Sequence, residues 1–330
     1  MQKDNRYIDI EFYRLWKYVR ISRQTKETIK TLLFSGAPSL FSRFASYQHW
    51  KNSQIFAKST DQSHENMVSK SANTKINVKK VFKFAVVLHV FYIDVLQEIL
   101  VVLLKNKSND FKLFITCPQQ LNDEINTMIK RYEVAYEIMK VENHGRDILP
   151  FLKILPKVFE EDYDLILKIH TKRSNHLNKK DLWSADLFEK LLSEKNMQNA
   201  LNIFSNHQEI GMIGPAGHIL PMNLYYGGNA TKVEALCIRM GLTRNQLPGL
   251  NFIAGSMFYA RKEVLLPILN LQLKDSDFED ENKQLDNTMA HTVERVFAAG
   301  LITANMKLAD TSSSLENISC QITINHPFTI

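Results

Sequence analysis

Cysteine is scarce in this chain: Cys117, Cys237 and Cys320 are the only three among 330 residues, and they lie far apart. There is no CxxC pair and no Cys/His spacing suited to a metal, so neither a disulfide framework nor a zinc module organises the fold. Reduced and mostly buried thiols are expected. Long apolar runs are missing too. The most apolar stretch, "VLQEILVVLL" (95–104), holds Gln97 and Glu98 and is too short to span a bilayer. The N-terminus "MQKDNRYIDIEFYRLW" has no unbroken apolar core, which argues against a secretory signal. No internal repeat is visible. These absences leave a cytoplasmic chain, soluble or at most peripheral to the inner membrane face.

What is present suffices for a large core. Hydrophobic residues make up 45% of the chain, enough for one full-sized domain or two modest ones. The net charge of +6 is uneven: residues 1–80 carry 15 Lys/Arg against 6 Asp/Glu, and the remainder 26 against 29. The basic character therefore belongs to the N-terminal segment. The rest is net acidic and shows no nucleic-acid-binding motif, so no nucleic-acid partner is expected. Residues 7–34 read as a helix mixing Tyr7, Phe12, Tyr13, Trp16 and Tyr18 with Arg14, Lys17, Arg20, Arg23 and Lys26. Such a stretch either lies on an anionic membrane surface, here through residues 1–34, or packs on a domain with a solvated basic face. Residues 51–80 are polar and read as a linker. The expected organisation is a basic helical segment (1–50), a linker (51–80), a main folded domain (81–310) and a C-terminal tail (311–330).

From Phe82 the pattern changes. Strand-like "FKFAVVLHVFY", "FKLFITC", "YEIMKVE" and "YDLILKIH" alternate with helical "DVLQEILVVLLKNK", "LNDEINTMIKRY" and "DILPFLKILPKVFE". Apolar strands alternating with helices predict an α/β fold: one domain with a mostly parallel central sheet flanked by helices. Further on, "WSADLFEKLLS" and "MQNALNIFSN" read as helices and "EIGMIGP" and "FIAGSMFYAR" as short strands. "QLDNTMAHTVERVFAAG" reads as one helix starting near Asp286.

Ligands of such sheets bind at the carboxyl ends of the strands, and several unusual stretches fall there. His89 ends the first strand. "NHGRD" follows the third and offers Asn143, His144, Gly145, Arg146 and Asp147. Gly145 permits a tight turn, and Asp147 is placed to N-cap the next helix. Asn143, His144 and Arg146 add donors beside a helix N-terminus, a natural anion site. "KIHTKRS" closes the fourth strand with Lys168, His170, Lys172 and Arg173. A lysine on an apolar strand requires a counter-charge. Either a bound phosphate or diphosphate supplies it, or an internal carboxylate such as Asp147 does. Gly255, in "FIAGSMFYAR", lets a ligand approach closely. "YYGGN" (225–229) reads as a mobile loop, a candidate lid.

Six stretches together carry a resemblance: "HVFY", "ENHGRDILPFL", "YDLILKIHTKRS" followed by Trp183, "IGMIGP", "FIAGSMFYARKEVL" and "FEDENKQLDNTMAHTVERVF". Taken in that order, they resemble the rhamnan synthesis protein F family of bacterial cell-surface polysaccharide enzymes. The resemblance runs from about Phe84 to about Phe297. It implies glycosyl transfer, usually of rhamnose, in rhamnan, O-antigen or lipopolysaccharide-type synthesis. The implied partners are a nucleotide-sugar donor such as dTDP-rhamnose and a glycan or lipid-linked glycan acceptor. A non-catalytic glycan-binding subunit of an assembly complex is the alternative. The fold looks like the GT-A type, which usually carries Asp-x-Asp at the end of a central strand to hold a metal. This chain has "KIHTK" there, so neither metal nor other cofactor is expected, and fixed cations would stabilise the departing diphosphate. Inverting transfer then needs a base. Asp286 and Glu281, with Glu279 and Asp280 behind them, and His291 are the candidates, and Arg295 is counted among the donor contacts.

Overall fold

The computed structural model describes residues 35–36, 83–105, 111–171, 182–282, 284 and 286–326. Lys172, Arg173, the basic residues 1–34 and the 51–80 linker lie outside them. The chain divides into two units, Met1–Ile76 and Asn77–Ile330, and the second holds every element named below.

In that unit the expected alternation appears in order. The chain runs β1 (Phe84–His89), α1 (Ile93–Lys105), β2 (Phe111–Pro118), α2 (Asn122–Ile129), β3 (Ala135–Val141), α3 (Ile148–Glu160) and β4 (Leu165–His170). It continues through α4 (Leu182–Leu192), α5 (Glu194–Asn206), β5 (Ile210–Gly214), β6 (Ile219–Pro221) and α6 (Ala230–Arg239). Last come β7 (Asn251–Ile253), β8 (Phe258–Arg261), α7 (Lys262–Leu269), α8 (Met289–Val296), α9 (Gly300–Thr303) and β9 (Lys307–Asp310). Seven strands form one sheet in the order β3-β2-β1-β4-β8-β5-β9. β8 runs antiparallel to both neighbours and the other pairings are parallel. β6 and β7 form a separate antiparallel pair.

The two-residue period of a strand assigns each side chain to a face. Phe84, Val86 and Leu88 join Leu165, Leu167 and Ile169 in a core shared with α1, α2, α4 and α5. Ala85, Val87 and Ile166 join the core under α3, α7 and α8. By the same alternation His89, Lys168 and His170 belong to the α3/α8 face. β2 and β3 extend from one side of β1 and β4 from the other. The two strands therefore mark the reversal of strand order, where such sheets open a crevice at their carboxyl ends.

Two expectations need correction. The helix expected from Asp286 begins at Met289, with Thr288 as its N-cap, because Asn287 takes a φ of 66° that no helix continues through. The stretch from 311 is not a detached tail as far as residue 326. Ile322 bridges Ile219, Thr323 N donates to Ile219 O at 2.7 Å, and His326 is buried. α6, α7, α9, β6 and β9 had no counterpart in the sequence reading. No helix among the described residues is long and apolar enough to cross a membrane.

Candidate functional site

At the reversal point the first and fourth strands end side by side. His89 pairs in register with His170 on one flank and Thr116 on the other. Its Nδ1 meets Thr116 Oγ1 at 2.9 Å. Burial lowers the His89 pKa to about 4, with Lys168 adding to the shift and Asp147 opposing it. Thr171 ties the two strand exits together: its N–H donates to His89 O at 2.9 Å, and its hydroxyl accepts from Phe91 N and Tyr92 N at 2.8 and 3.0 Å.

Beneath the crevice lies a buried ion pair. Lys168 is 1% exposed, and its ammonium donates to Asp147 Oδ2 at 2.6 Å, Ser256 O at 2.9 Å and Ser256 Oγ at 3.1 Å. Ser256 Oγ donates to the same Oδ2 at 2.6 Å, and His170 Nδ1 stands 3.3 Å from it. The internal carboxylate thus serves as a counter-charge of Lys168. Asp147 sits at the N-cap of α3 but its side chain makes no capping bond. The helix start is closed instead by Gly145 O, which accepts from Ile148 N and Leu149 N at 3.1 Å each. Burial works to raise the Asp147 pKa, but the charges of His170 and Lys168 and the bonds from Lys168 and Ser256 pull it well below the usual carboxylate range. All these contacts fall on Oδ2, and Oδ1 makes no hydrogen bond among the described residues.

Above this pair opens a small, solvent-open cleft, walled by Arg146, Asp147 and Ile148 of the α3 start, His170, Gly255 and Ser256, and Ala290, His291 and Glu294 of α8. Arg146 and Ser256 are non-glycine residues with φ of 57° and 49°. Such left-handed backbone costs free energy and concentrates at functional sites. Gly145, at φ 64°, is packed so closely that a Cβ there would lie 2.5 Å from Leu149 Cβ. Arg146 N donates to Glu281 Oε1 at 3.1 Å, and its guanidinium donates to His291 Nε2 at 2.9 Å and to Gln284 O. Arginine can only donate. His291 Nε2 is therefore the acceptor, and Nδ1–H points to Thr288 Oγ1, 2.8 Å away. Burial and then Arg146 push the His291 pKa down to about 4.

The structure thus gathers Arg146, Asp147, His170, Gly255 and His291 at one cleft, with Lys168 beneath it. His89 adjoins it through the sheet. Other expected residues are used elsewhere. His144 Nε2 donates to Asp275 O at 3.0 Å, and Asn143 is exposed. Asp286 does not line the cleft. Its carboxylate accepts from Gly228 N at 3.0 Å, Asn229 Nδ2 at 2.6 Å and Arg295 Nη2 at 3.2 Å. Burial works to raise its pKa, but the backbone bonds from Gly228 and Asn287 and the Arg295 charge outweigh burial and hold it below the usual carboxylate value. Arg295 also donates to Tyr225 O and His291 O, which spends it on structure. The 225–229 stretch, expected as a mobile lid, is held down by these contacts. Glu279 accepts from Met289 N at 2.6 Å and Lys232 at 2.7 Å. Two cleft-lining residues, Ser256 and Glu294, went unassigned, as did Thr171 at the strand exits. For Glu294 the i, i+3, i+4 spacing of His291, Ala290 and Glu294 on one helix face was the available signal. Among the described residues no three His, Cys, Asp or Glu side chains group to hold a metal.

A family model described as rhamnan synthesis protein F matches residues 47–305. The match begins inside the stretch that the sequence reading had left without a relative. Two curated relatives, both described as uncharacterized protein WxcX, come from Xanthomonas campestris pv. campestris strains B100 and ATCC 33913. Each is 37% identical over 212 residues, covering 64% of this chain and 30% of the relative. The chain therefore spans less than a third of the length of the curated relatives it matches. Among solved structures, a 4-diphosphocytidyl-2C-methyl-D-erythritol synthase from Anaerococcus prevotii aligns with a TM-score of 0.36 and 11% identity, over 68% of this chain and 98% of that one. A candidate nucleotide-diphospho-sugar transferase from Desulfovibrio desulfuricans G20 aligns with a TM-score of 0.32 and 12% identity, over 68% and 78%.

Proposed function

The chain belongs to the rhamnan synthesis protein F family, and on that premise we propose that it is a glycosyltransferase of bacterial cell-surface polysaccharide synthesis. The observation that carries this reading is the polar cleft at the reversal between β1 and β4. It is built from the stretches "NHGRD", "KIH" and "AGS" and the α8 helix, which are those marking the family.

In this reading a nucleotide-sugar donor, of the dTDP-rhamnose kind, lies across the carboxyl ends of β1 and β4. Lys168 is consumed by Asp147, so the diphosphate falls to Arg146, whose side chain is 34% exposed. Arginine offers a forked, permanently charged donor set for phosphate oxygens. Gly255 lets the ligand approach the backbone. The ion pair beneath the cleft keeps Asp147 ionised, and Oδ1 is placed to accept from a sugar hydroxyl. We propose that the reaction inverts the sugar and needs no resident metal, because "KIHTK" stands where an Asp-x-Asp is usual. Residues 1–34 are proposed to hold the protein on the anionic inner membrane surface. Liposome binding that weakens with salt and with loss of residues 1–34 checks this last point.

A thermal-shift screen of nucleotide sugars tests the central reading, since a ligand selective for the native state raises the melting point. A shift with dTDP-rhamnose or a related donor, followed by EDTA-resistant release of the nucleoside diphosphate, is expected. No shift with any nucleotide sugar refutes the donor site. Donor-independent binding of glycan without turnover favours a glycan-binding subunit instead.

A further inference from the structure

We propose that Glu294 is the proton acceptor of the transfer step, taking the proton of the acceptor hydroxyl as that oxygen attacks the donor sugar. This rests on the glycosyltransferase reading above. It names a residue that neither the sequence pattern nor the family resemblance singled out.

The other carboxylates near the cleft, and His291, each face a cation. Asp147 has its Oδ2 bound by Lys168 and Ser256 with His170 close by, and so holds its charge at the cost of basicity. Glu281 faces Arg146 twice, through the backbone N–H at 3.1 Å and through Nε at 3.9 Å. His291 turns its one lone pair toward the Arg146 guanidinium. Asp286 lies away from the cleft wall, satisfied by Gly228, Asn229 and Arg295. Glu294 is different. It lines the cleft and has no ion pair among the described residues. Its Oε1 accepts a 2.7 Å hydrogen bond from Gly255 N, and Oε2 makes no hydrogen bond among the described residues.

That single bond also aims the carboxylate. Gly255 has φ 89° and packs so tightly that a Cβ would sit 3.2 Å from Leu187 Cδ1 and 3.5 Å from Trp183. Its N–H direction is therefore set by the turn between β7 and β8. A carboxylate anchored through one oxygen presents the other at a defined place, as a general base requires. The titratable groups around it in the cleft are Arg146, Asp147, His170 and His291.

The step balances as a single displacement. The acceptor O–H bond breaks and its proton passes to Glu294. The freed oxygen pair forms the bond to the anomeric carbon. The bond from that carbon to the diphosphate oxygen breaks, and its electron pair leaves with the nucleoside diphosphate beside Arg146. Glu294 then returns the proton to solvent.

Glu294→Gln is the informative variant, because its amide oxygen can still accept from Gly255 N while the group no longer takes a proton. With the full chain, dTDP-rhamnose as donor and octyl rhamnoside as acceptor, kcat should fall on the order of 10²-fold or more. The donor Kd should stay within about threefold, and the acid limb of the wild-type pH–kcat profile should disappear. A variant that keeps more than about a third of the wild-type kcat, or keeps the acid limb, overturns the assignment, since loss of a base costs at least tenfold more. Should Glu294→Gln fail to fold by near-UV circular dichroism, Glu294→Asp decides. It retains the charge but withdraws it by one methylene, so kcat should drop while the acid limb persists, and a wild-type kcat overturns the proposal. Wild-type protein that neither binds nor turns over a nucleotide sugar overturns the glycosyltransferase reading itself. Wild-type transfer alongside an active Gln variant overturns only the role of Glu294.

Discussion

Replacing Lys168 with methionine keeps the stem and most of the volume but removes a buried cation and three hydrogen bonds, to Asp147 Oδ2, Ser256 O and Ser256 Oγ. Asp147, with a side chain only 16% exposed, is left facing the cleft floor with its main counter-charge gone. Breaking a buried pair by removing one partner costs about 3–5 kcal/mol. For a unit of this size each kcal/mol moves the melting point by about 2–4 °C, so Tm should fall by about 6–20 °C. The pH dependence has a definite sign. The folded Asp147 pKa is depressed, so the contribution of the pair is complete above the unfolded carboxylate value of about 4 and drains away as the pH drops below it. In the variant, Asp147 takes up a proton more readily and part of the penalty is relieved. The gap between wild type and variant should therefore be widest at pH 7 and narrow below pH 4. Adding Asp147→Leu to Lys168→Met should recover much of the loss, because an apolar replacement leaves no lone charge. Urea unfolding at pH 7 is the assay. A difference under about 1 kcal/mol, or one that does not shrink toward pH 3, refutes the view that this pair is a desolvated structural ion pair.

Other perturbations probe neighbouring parts. His89, with its folded pKa lowered to about 4, contributes stability that is full above pH 6.5 and is lost as pH falls toward 4. Calorimetry across that window should show a loss on the order of 3 kcal/mol that His89→Gln largely abolishes. Gly145→Ala should destabilise by more than about 1 kcal/mol in a thermal melt, since φ is 64° and the new Cβ meets Leu149 and Phe278. Asp286→Ala should cost about 1–3 kcal/mol and speed amide exchange at Gly228, because two N–H donors and Arg295 lose their acceptor. Thr171→Val, read by exchange at Phe91 and Tyr92, should lower protection at both amides while leaving that of Phe114 unchanged.

The order of elements from β1 to β4, and the face each strand residue takes, follow from the sequence alone. Local periodicity encodes them: a strand alternates with period two, and "LILKIH" already sets Lys168 and His170 on one face and Leu167 and Ile169 on the other. The clustering of "NHGRD" and "KIH" at one end of the sheet is equally local, since the first follows a parallel strand and the second ends one. Which carboxylate neutralises Lys168 was open in the sequence, where phosphate and Asp147 were both adequate partners. Ser256 and Asp147 lie 109 residues apart, and Lys168 and Ser256 lie 88 apart. Their meeting depends on the antiparallel pairing of β8 with β4, which no local pattern announces. The same holds for Asp286. In the sequence it stood near the head of a predicted helix, but Asn287 breaks the helix there and the carboxylate turns to Gly228 and Asn229. Glu294 had no assigned role in the sequence, and its contact with Gly255 comes only with the fold. Short-range order is written in neighbouring residues because sterics and burial act over a turn or a strand. The charge state and availability of each polar group depend on partners distant along the chain, and only the folded packing selects among them.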